Sequence, residues 1–291
     1  MKQKIRRLSA LAAALLLTLS LAACTGKKNE EPDEGSQDVA GWVNPIRDPR
    51  PGSDYQPQVP SVGEALEQAH AQNSDVVAWL QVPGTELSEA VVQTTDNKFY
   101  YRRDVTKNYS FSGSLWMDYE STVGDGSTSA LSQNVIIYGH NLGNPQGVKD
   151  DPNGVKFAQL FKFDDLEFAK NHPYIYLTTG EETHIYEIFT VFYSEDVLSP
   201  VPYHYASFTP QKYEKLIADV RERSQFDYNV NVGPQDKIIS LSTCSYKYGT
   251  YSQNPHQRFV VMGKLVTEGE DFYETADVHQ NPDPKEPDFS K

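Results

Sequence analysis

The sequence predicts a mostly β domain, built as a β-barrel or a β-sandwich with helical insertions. About eight short segments rich in β-branched and aromatic residues recur between turn residues, which is typical of these two architectures. Helical patterns are few, and the segments lie within about 205 residues, a length that suits one domain with a sizeable core. The sequence contains no internal repeat.

Two segments carry the signals of a helix. Ser61 and Glu64 have the spacing of a capping box, which predicts a short helix over residues 64–71. Thr209 followed by Pro210 is typical of an N-cap and a first helical position. Apolar residues then recur at helical spacing and predict a second helix that ends near residue 223: Tyr213, Leu216, Ile217 and Val220.

The strand predictions rest on runs of β-branched and aromatic residues that end at turns. The run over residues 76–82, for example, is closed by Pro83 and Gly84. Residues 185–191 are nearly all apolar, so we expect this strand at the centre of the sheet rather than at an edge. The predicted strands are residues 76–82, 90–92, 114–117, 135–138, 174–177, 185–193, 238–242 and 259–265.

The N-terminus has the zones of an export signal. Basic residues within positions 2–7 precede an apolar stretch at residues 8–23, and small residues then lead to Cys24. This stretch is short for a membrane span, which needs about 20 residues. The pattern resembles a bacterial lipobox, in which the cysteine, here Cys24, becomes the lipid-modified first residue. An uncleaved signal anchor is the alternative, and both predict a chain held at the outer face of the membrane.

Two polar segments flank the predicted domain, which we place at residues 61–266. Residues 25–60 are rich in acidic residues, proline and glycine, and predict a flexible linker. Residues 267–291 are acidic and proline-containing, and predict a disordered tail. The formal net charge of −14 argues against nucleic acid as a partner, because binding phosphates requires clustered basic residues. We expect no metal ion and no cofactor.

Cys244 is the first residue with possible chemistry. The sequence has two cysteines, and processing at Cys24 would leave Cys244 as a lone thiol at the end of a predicted strand. A free cysteine is most often an inert, buried apolar residue. The thiol taken alone therefore favours a structural role, although a nucleophile is the sharper hypothesis.

Two further residues have comparable positions. His140 follows a buried strand and opens a loop that contains glycines, while Arg258 begins the last strand. Reactive groups at strand ends can converge at one rim of a barrel. A thiol is only a few per cent ionised at neutral pH, an imidazole can carry its proton, and a guanidinium can stabilise an oxyanion. Together these groups would support acyl transfer through a thioester, but a surface histidine and a solvated arginine remain open.

Several motifs resemble those of class B sortases. The resemblance runs in order from Asn73 to Leu265. It rests on residues 73–85, on Val91-Val92-Gln93, on residues 112–119, on Asn134-Val135-Ile136-Ile137-Tyr138-Gly139-His140-Asn141, on Leu241-Ser242-Thr243-Cys244 and on Arg258-Phe259-Val260-Val261.

The resemblance implies an eight-stranded sortase-type β-barrel with short N-terminal helices and a helix inserted between the sixth and seventh strands. It implies an extracytoplasmic cysteine transpeptidase without a cofactor. Its partners would be the sorting-signal peptide of secreted surface proteins and an amine acceptor of peptidoglycan or pilin. Cys244 would be the nucleophile, His140 the general acid and base, and Arg258 the oxyanion-stabilising residue. The expected substrate-binding residues are Ser242, Thr243 and Asn141.

Two departures from the family pattern concern the site. The loop over residues 245–257 is longer than is common in the class, and Ser245 stands where an acidic residue often follows the cysteine. A third departure is the lipobox-like N-terminus, since family members usually carry an uncleaved anchor.

Three other functions stay open at this stage. In a papain-like cell-wall peptidase the cysteine precedes the histidine and begins a helix, which is the reverse of the order here. A surface lipoprotein that only binds ligands would keep Cys244 as a structural thiol. A class C sortase would carry an Asp-Pro-aromatic lid motif, and Arg50 follows Asp48 and Pro49 instead of an aromatic residue.

Overall fold

The computed structural model describes residues 49–196 and 201–290. The strands are β1 (Val76–Gln81), β2 (Ser88–Val92), β3 (Leu115–Met117), β4 (Asn134–Tyr138), β5 (Tyr174–Thr179), β6 (Glu182–Glu195), β7 (Phe226–Tyr228), β8 (Ile238–Cys244), β9 (Gln257–Leu265) and β10 (Val278–Gln280). The α-helices are α1 (Gly63–Gln72), α2 (Leu166–Asn171) and α3 (Pro210–Arg223). Short 3₁₀ segments lie at Phe99–Arg102, Thr128–Ala130 and Phe157–Asp164.

Eight strands close into a barrel in the order β1-β2-β3-β4-β8-β9-β6-β5. Each overlaps one of the eight predicted strands, and the predicted β-barrel is confirmed. β6 pairs with both β5 and β9, so its predicted central position is also confirmed. β7 and β10 form a separate two-stranded antiparallel sheet.

The barrel is mixed, and its parallel pairs decide where strand ends meet. β4 runs parallel to β8, and β2 runs parallel to β3, while β8 and β9 are antiparallel. Parallel neighbours bring their carboxyl ends to the same edge of a sheet. The rim that follows β4 and β8 is therefore also the rim at which β9 begins.

The strands that lead to this rim are buried on both faces. Val135, Ile136 and Ile137 of β4 are fully buried, as are the apolar residues of β8. The polar side chains among them are paired: Ser240 donates to the side-chain oxygen of Asn134 at 2.9 Å. Buried hydrogen bonds of this kind hold two strands in one register. The rim thus rests on a rigid, close-packed base.

The helix predicted after Thr209 is confirmed as α3. The hydroxyl of Thr209 accepts from the backbone N–H of Lys212 at 3.4 Å, and the four predicted apolar residues are buried. α3 lies between the sixth and seventh barrel strands, as the family resemblance implies. α1 is also confirmed, but the predicted capping box is wrong, because Val62 occupies the N-cap and no side chain caps the helix.

The polar segments next to the barrel make contacts with it. Residues 49–60 and 267–290 lie mostly exposed on its surface, and a few of their side chains pair with barrel residues. Arg50 pairs with the buried Glu187 at 2.6 Å and lies over the ring of Tyr273, and Tyr55 forms a β-bridge with Phe272. Further contacts come from Phe272, whose ring meets that of Tyr174 edge-on, and from the backbone pairing of β10 with β7.

The predicted signal segment, Cys24 and the linker up to residue 48 lie outside the described residues. Within the described ranges, none of the helices has both the length and the apolar character needed to cross a membrane.

Candidate active site

The three residues predicted for catalysis lie at one rim of the barrel. Cys244 ends β8 and pairs directly with Arg258 on β9. On the other side of β8, Tyr138 of β4 pairs with Ser242, so His140 follows β4 at the level of Cys244. The structure therefore brings together three side chains that are far apart in sequence.

These side chains open into a cavity of about 270 Å³. Most of its lining residues belong to the motifs around His140, Cys244 and Arg258, and two come from the segment before β3. The lining residues are Asn97, Tyr101, Trp116, Tyr138, Gly139, His140, Asp196, Ser242, Thr243, Cys244 and Arg258.

His140 is buried and held in one orientation. Its Nε2 lies 2.7 Å from the backbone carbonyl of Tyr101, and its ring meets the Tyr101 ring edge-on at 4.4 Å. A carbonyl oxygen only accepts, so Nε2 carries the hydrogen and Nδ1 is the nitrogen that can take up a proton. Burial lowers the pKa of His140, and the charges of Arg102 and Lys156 act in the same direction. The imidazole is therefore neutral at neutral pH.

Glycine at position 113 permits this contact. Gly113 has φ of 59°, a conformation that favours glycine. A Cβ there would lie 2.7 Å from the carbonyl oxygen of Tyr101 and 3.2 Å from Cδ2 of His140. The loop that holds the imidazole can approach it only because this side chain is absent.

Cys244 is a free, half-buried thiol. Burial raises its pKa, the guanidinium of Arg258 opposes the rise, and the carboxylates of Asp196 and Asp150 add to it. The resting thiol is therefore protonated at neutral pH. A reaction at Cys244 requires a base to take up that proton.

Arg258 is held by three acceptors. Its Nη2 forms an ion pair with Asp196, and its Nη1 donates to the backbone carbonyls of Pro255 at 3.1 Å and Gln257 at 2.9 Å. Burial works against its charge, but nearby Cys244 and Asp196 raise the pKa of Arg258. The guanidinium stays charged and aimed at the cavity.

Sequence reasoning missed Asp196. It follows β6 directly, at the rim where Ser194 pairs with Arg258. The signal that could have found it is an acidic residue at the end of the longest apolar strand. Ser245, and not an acidic residue, follows the cysteine in this chain. The carboxylate partner of Arg258 is instead Asp196.

The three predicted substrate-binding residues have different environments. Ser242 lines the cavity, and its hydroxyl lies 3.2 Å from the hydroxyl of Tyr203. Thr243 also lines the cavity, but its hydroxyl donates to the carbonyl of Gly139 at 2.8 Å. Asn141 is not among the lining residues. Its amide donates to the carbonyl of Cys244 at 3.0 Å, so the structure gives it a contact behind the thiol instead of a place in the cavity.

Aromatic residues that were not predicted as site residues also line the cavity. Trp116 and Tyr138 are direct partners on β3 and β4, and their rings lie 5.7 Å apart. The hydroxyl of Tyr138 and the amide of Asn97 both donate to Asp118, at 2.9 Å and 2.7 Å. Strand pairing and these hydrogen bonds therefore fix the aromatic part of the cavity lining.

Comparisons with known proteins agree with this geometry. A model of the sortase domain matches residues 80–266. Sortase B of Listeria monocytogenes is 31% identical over 206 residues, which cover 71% of this chain and 76% of that protein. The structure of a mutant form of Clostridium perfringens sortase B has a TM-score of 0.58 and 26% identity, covering 70% of this chain and 87% of that one.

A third comparison is with a crystal structure of sortase B complexed with triglycine. It has a TM-score of 0.58 and 25% identity, and covers 72% of this chain and 88% of that one. The match of the sortase domain extends over more than half of this chain and includes every strand end that forms the cavity. The chain therefore belongs to the sortase family, as a sortase B-like cysteine transpeptidase.

Proposed function

We propose that this transpeptidase cleaves a sorting signal near the C-terminus of secreted proteins and transfers the new acyl end to an amine of the cell wall or of a pilin. The observation that carries the proposal is the shared cavity, in which the direct pairing of Cys244 with Arg258 on β8 and β9 meets His140 from β4. A thiol, a proton carrier and a fixed cation at one opening are the groups that acyl transfer from a peptide requires.

In the first step, the Sγ of Cys244 attacks the carbonyl carbon of the scissile peptide bond. His140 takes up the thiol proton at Nδ1, since Nε2 is held by Tyr101. The carbonyl oxygen becomes an oxyanion beside Arg258, which Asp196 and two backbone carbonyls hold in place. The C–N bond then breaks, and the imidazolium returns its proton to the leaving amine.

In the second step, an amine replaces the leaving peptide. The acyl group is now a thioester on Cys244, and the incoming amine attacks its carbonyl carbon. His140 accepts the proton of this amine, and the Cys244 thiolate leaves and is reprotonated. A related sortase B has been solved with triglycine, which supports a primary amine at the end of a short peptide as the acceptor class.

The test is mass spectrometry of the described domain with a library of sorting-signal peptides, with and without triglycine. We expect a covalent adduct on Cys244 with each cleaved peptide and a ligated product when triglycine is present. Cys244→Ala should abolish cleavage and adduct, and His140→Ala should be nearly as damaging. Full cleavage activity in Cys244→Ala would refute the proposal.

Matched variants separate the roles of these residues from changes in folding. His279 lies on β10 and is exposed, so His279→Ala should keep the activity of the parent enzyme. Arg258→Lys keeps the charge and loses the planar donor arrangement, and should lower kcat more than it raises KM. An Arg258→Lys enzyme with unchanged kcat would exclude the proposed oxyanion role.

From the sequence alone, we also propose that the protein is attached to the outer face of the cell membrane through its N-terminus, either by a lipid on Cys24 or by an uncleaved signal anchor. Mass analysis of the mature N-terminus distinguishes the two. A lipid-modified Cys24 supports the lipobox, an intact N-terminal segment supports the anchor, and a released protein lacking both contradicts the proposal.

A further inference from the structure

The carboxylate of Asp150 gathers three hydrogen bonds around the turn that follows Cys244. The amide of Asn141 donates to Oδ1 at 2.5 Å, while the hydroxyl of Ser245 and the backbone N–H of Tyr246 donate to Oδ2 at 3.1 Å and 2.8 Å. The same amide of Asn141 also donates to the carbonyl of Cys244 at 3.0 Å. The backbone at Cys244 and at the two residues after it is therefore fixed from one side.

These contacts join the two strand ends that carry the reactive groups. Asn141 follows His140 directly on the loop after β4, and Asp150 belongs to the same loop. Ser245 and Tyr246 belong to the loop after β8. The pairing of β4 with β8 ends at Tyr138 and Ser242. Beyond these residues, the position of the loop after β4 relative to the loop after β8 depends on contacts outside the sheet.

The loop after β4 is folded so that it presents this carboxylate. Asp150 has φ of 55°, in a region that costs a non-glycine residue roughly 1 kcal/mol or more. Asn141 fixes the start of the same loop, since its Oδ1 accepts from the backbone N–H of Gly143 at 3.1 Å. Such a backbone conformation persists when the surrounding contacts over-determine it.

The negative charge of Asp150 does not favour ionisation of the Cys244 thiol. Burial raises the pKa of Asp150, so placing a charge there is unfavourable. Its negative charge also raises the pKa of Cys244, which works against the thiolate. Any benefit to the reaction must therefore come from geometry, because the charge itself opposes the first step.

We propose that Asp150 and Asn141 are positioning residues, which form a clamp that fixes the Sγ of Cys244 relative to the imidazole of His140. The inference rests on the proposed function. A displacement of about 1 Å between reacting groups lowers a rate by about 100-fold. Loss of the clamp should thus lower kcat while leaving the cavity that binds the peptide intact.

Asp150→Asn tests the clamp, because it replaces a pure acceptor by an amide that cannot accept all three bonds. We expect kcat for peptide cleavage to fall by about 10- to 100-fold and KM to change by less than about threefold. The matched control is Asp151→Asn in the same loop. The Asp151 carboxylate accepts from Asn144 and Asn153 within that loop, and the variant should retain parental kcat.

Alkylation of Cys244 with iodoacetamide across a range of pH supplies a second readout. Removing a negative charge in Asp150→Asn should lower the apparent pKa of the thiol, while cleavage becomes slower. A lower kcat for cleavage together with a lower pKa of the Cys244 thiol indicates a positioning role. A kcat within twofold of the parent, or a loss of kcat together with a raised thiol pKa, would overturn the inference.

The alkylation readout also separates the clamp from the proposed function. If the parent protein cleaves no sorting peptide, that outcome counts against the proposed function only. The clamp is then judged by the limiting alkylation rate at high pH, which should rise in Asp150→Asn as the half-buried thiol becomes more mobile. An unchanged limiting rate would overturn the clamp.

Ser245→Ala keeps the test decisive if Asp150→Asn does not fold. This variant removes the donor to Asp150 and the acceptor of the Lys247 backbone N–H, but no buried charge, and we expect a decrease in kcat of about threefold to tenfold. A Ser245→Ala enzyme with parental kcat would overturn the clamp.

Discussion

The pKa values of Cys244 and His140 are displaced in opposite directions by burial. The pKa of the Cys244 thiol is raised from its ordinary value of 9.0, and that of the His140 imidazole is lowered from its ordinary value of 6.5. Burial therefore moves the two pKa values away from each other. Between them, both groups are neutral in nearly every molecule.

This separation keeps the reactive population small. Because burial disfavours both charged forms, thiolate and imidazolium exist together in only a minor share of the enzyme, and that share is constant across the interval between the two pKa values. We therefore expect a bell-shaped profile of kcat/KM with a broad plateau. Activity falls on the acid side as His140 protonates, at a lower pH than an ordinary imidazole, and on the alkaline side as the Cys244 thiol ionises, at a higher pH than an ordinary thiol.

Two measurements check this expectation. Steady-state cleavage of a sorting peptide across pH gives the profile, and ultraviolet absorbance of the thiolate gives the ionisation of Cys244 directly. Cys244→Ala supplies the absorbance baseline. A full equivalent of thiolate at neutral pH would refute the reasoning, because it would mean that Arg258 outweighs burial at the thiol.

Three further perturbations follow from contacts around the site. Gly139→Ala should destabilise the fold by about 1–3 kcal/mol in urea denaturation, since the new Cβ would lie 2.6 Å from a ring carbon of Phe157; a parental midpoint would show that Phe157 moves freely. Asp196→Asn should lower kcat about tenfold with little change in KM, because Arg258 loses its charged partner; equal losses in kcat and in the thermal midpoint would point to folding instead. Removal of residues 282–291 should lower the melting temperature by about 3 °C and speed proteolysis of the loop after β8, since the ring of Tyr248 packs on this segment. Unchanged proteolysis would show that the contact of Tyr248 with this segment does not stabilise the loop.

The barrel could be predicted because its strands carry strong local patterns. β4 and β8 are buried on both faces and read as continuous apolar runs, and α3 has an N-cap, a proline and apolar spacing together. β7 and β10 have three residues each, and no pattern of that length is specific. Their pairing depends on where the ends of α3 and of the C-terminal segment come to lie, which is a tertiary property.

The candidate site shows the same division. Cys244, His140 and Arg258 could be singled out because each stands at the end of a recognisable strand. Asp150 could not, since its contacts depend on a loop that bends back through a positive φ. Asn141 was placed in the substrate groove by its motif, and only the hydrogen bond to Cys244 shows which way its amide lies.

The parallel pairing of β4 with β8 has a consequence for the order of synthesis. Thr243 bonds to Gly139 across 104 positions of chain, and β9 follows later still. Contacts of such separation form late, after the intervening segments have collapsed. A nascent chain therefore exposes His140 long before Cys244 exists, and the thiol meets its base only when the barrel closes. The pair of His140 and Cys244 forms only when the domain has folded completely. A truncated or stalled chain therefore cannot carry out acyl transfer on neighbouring proteins.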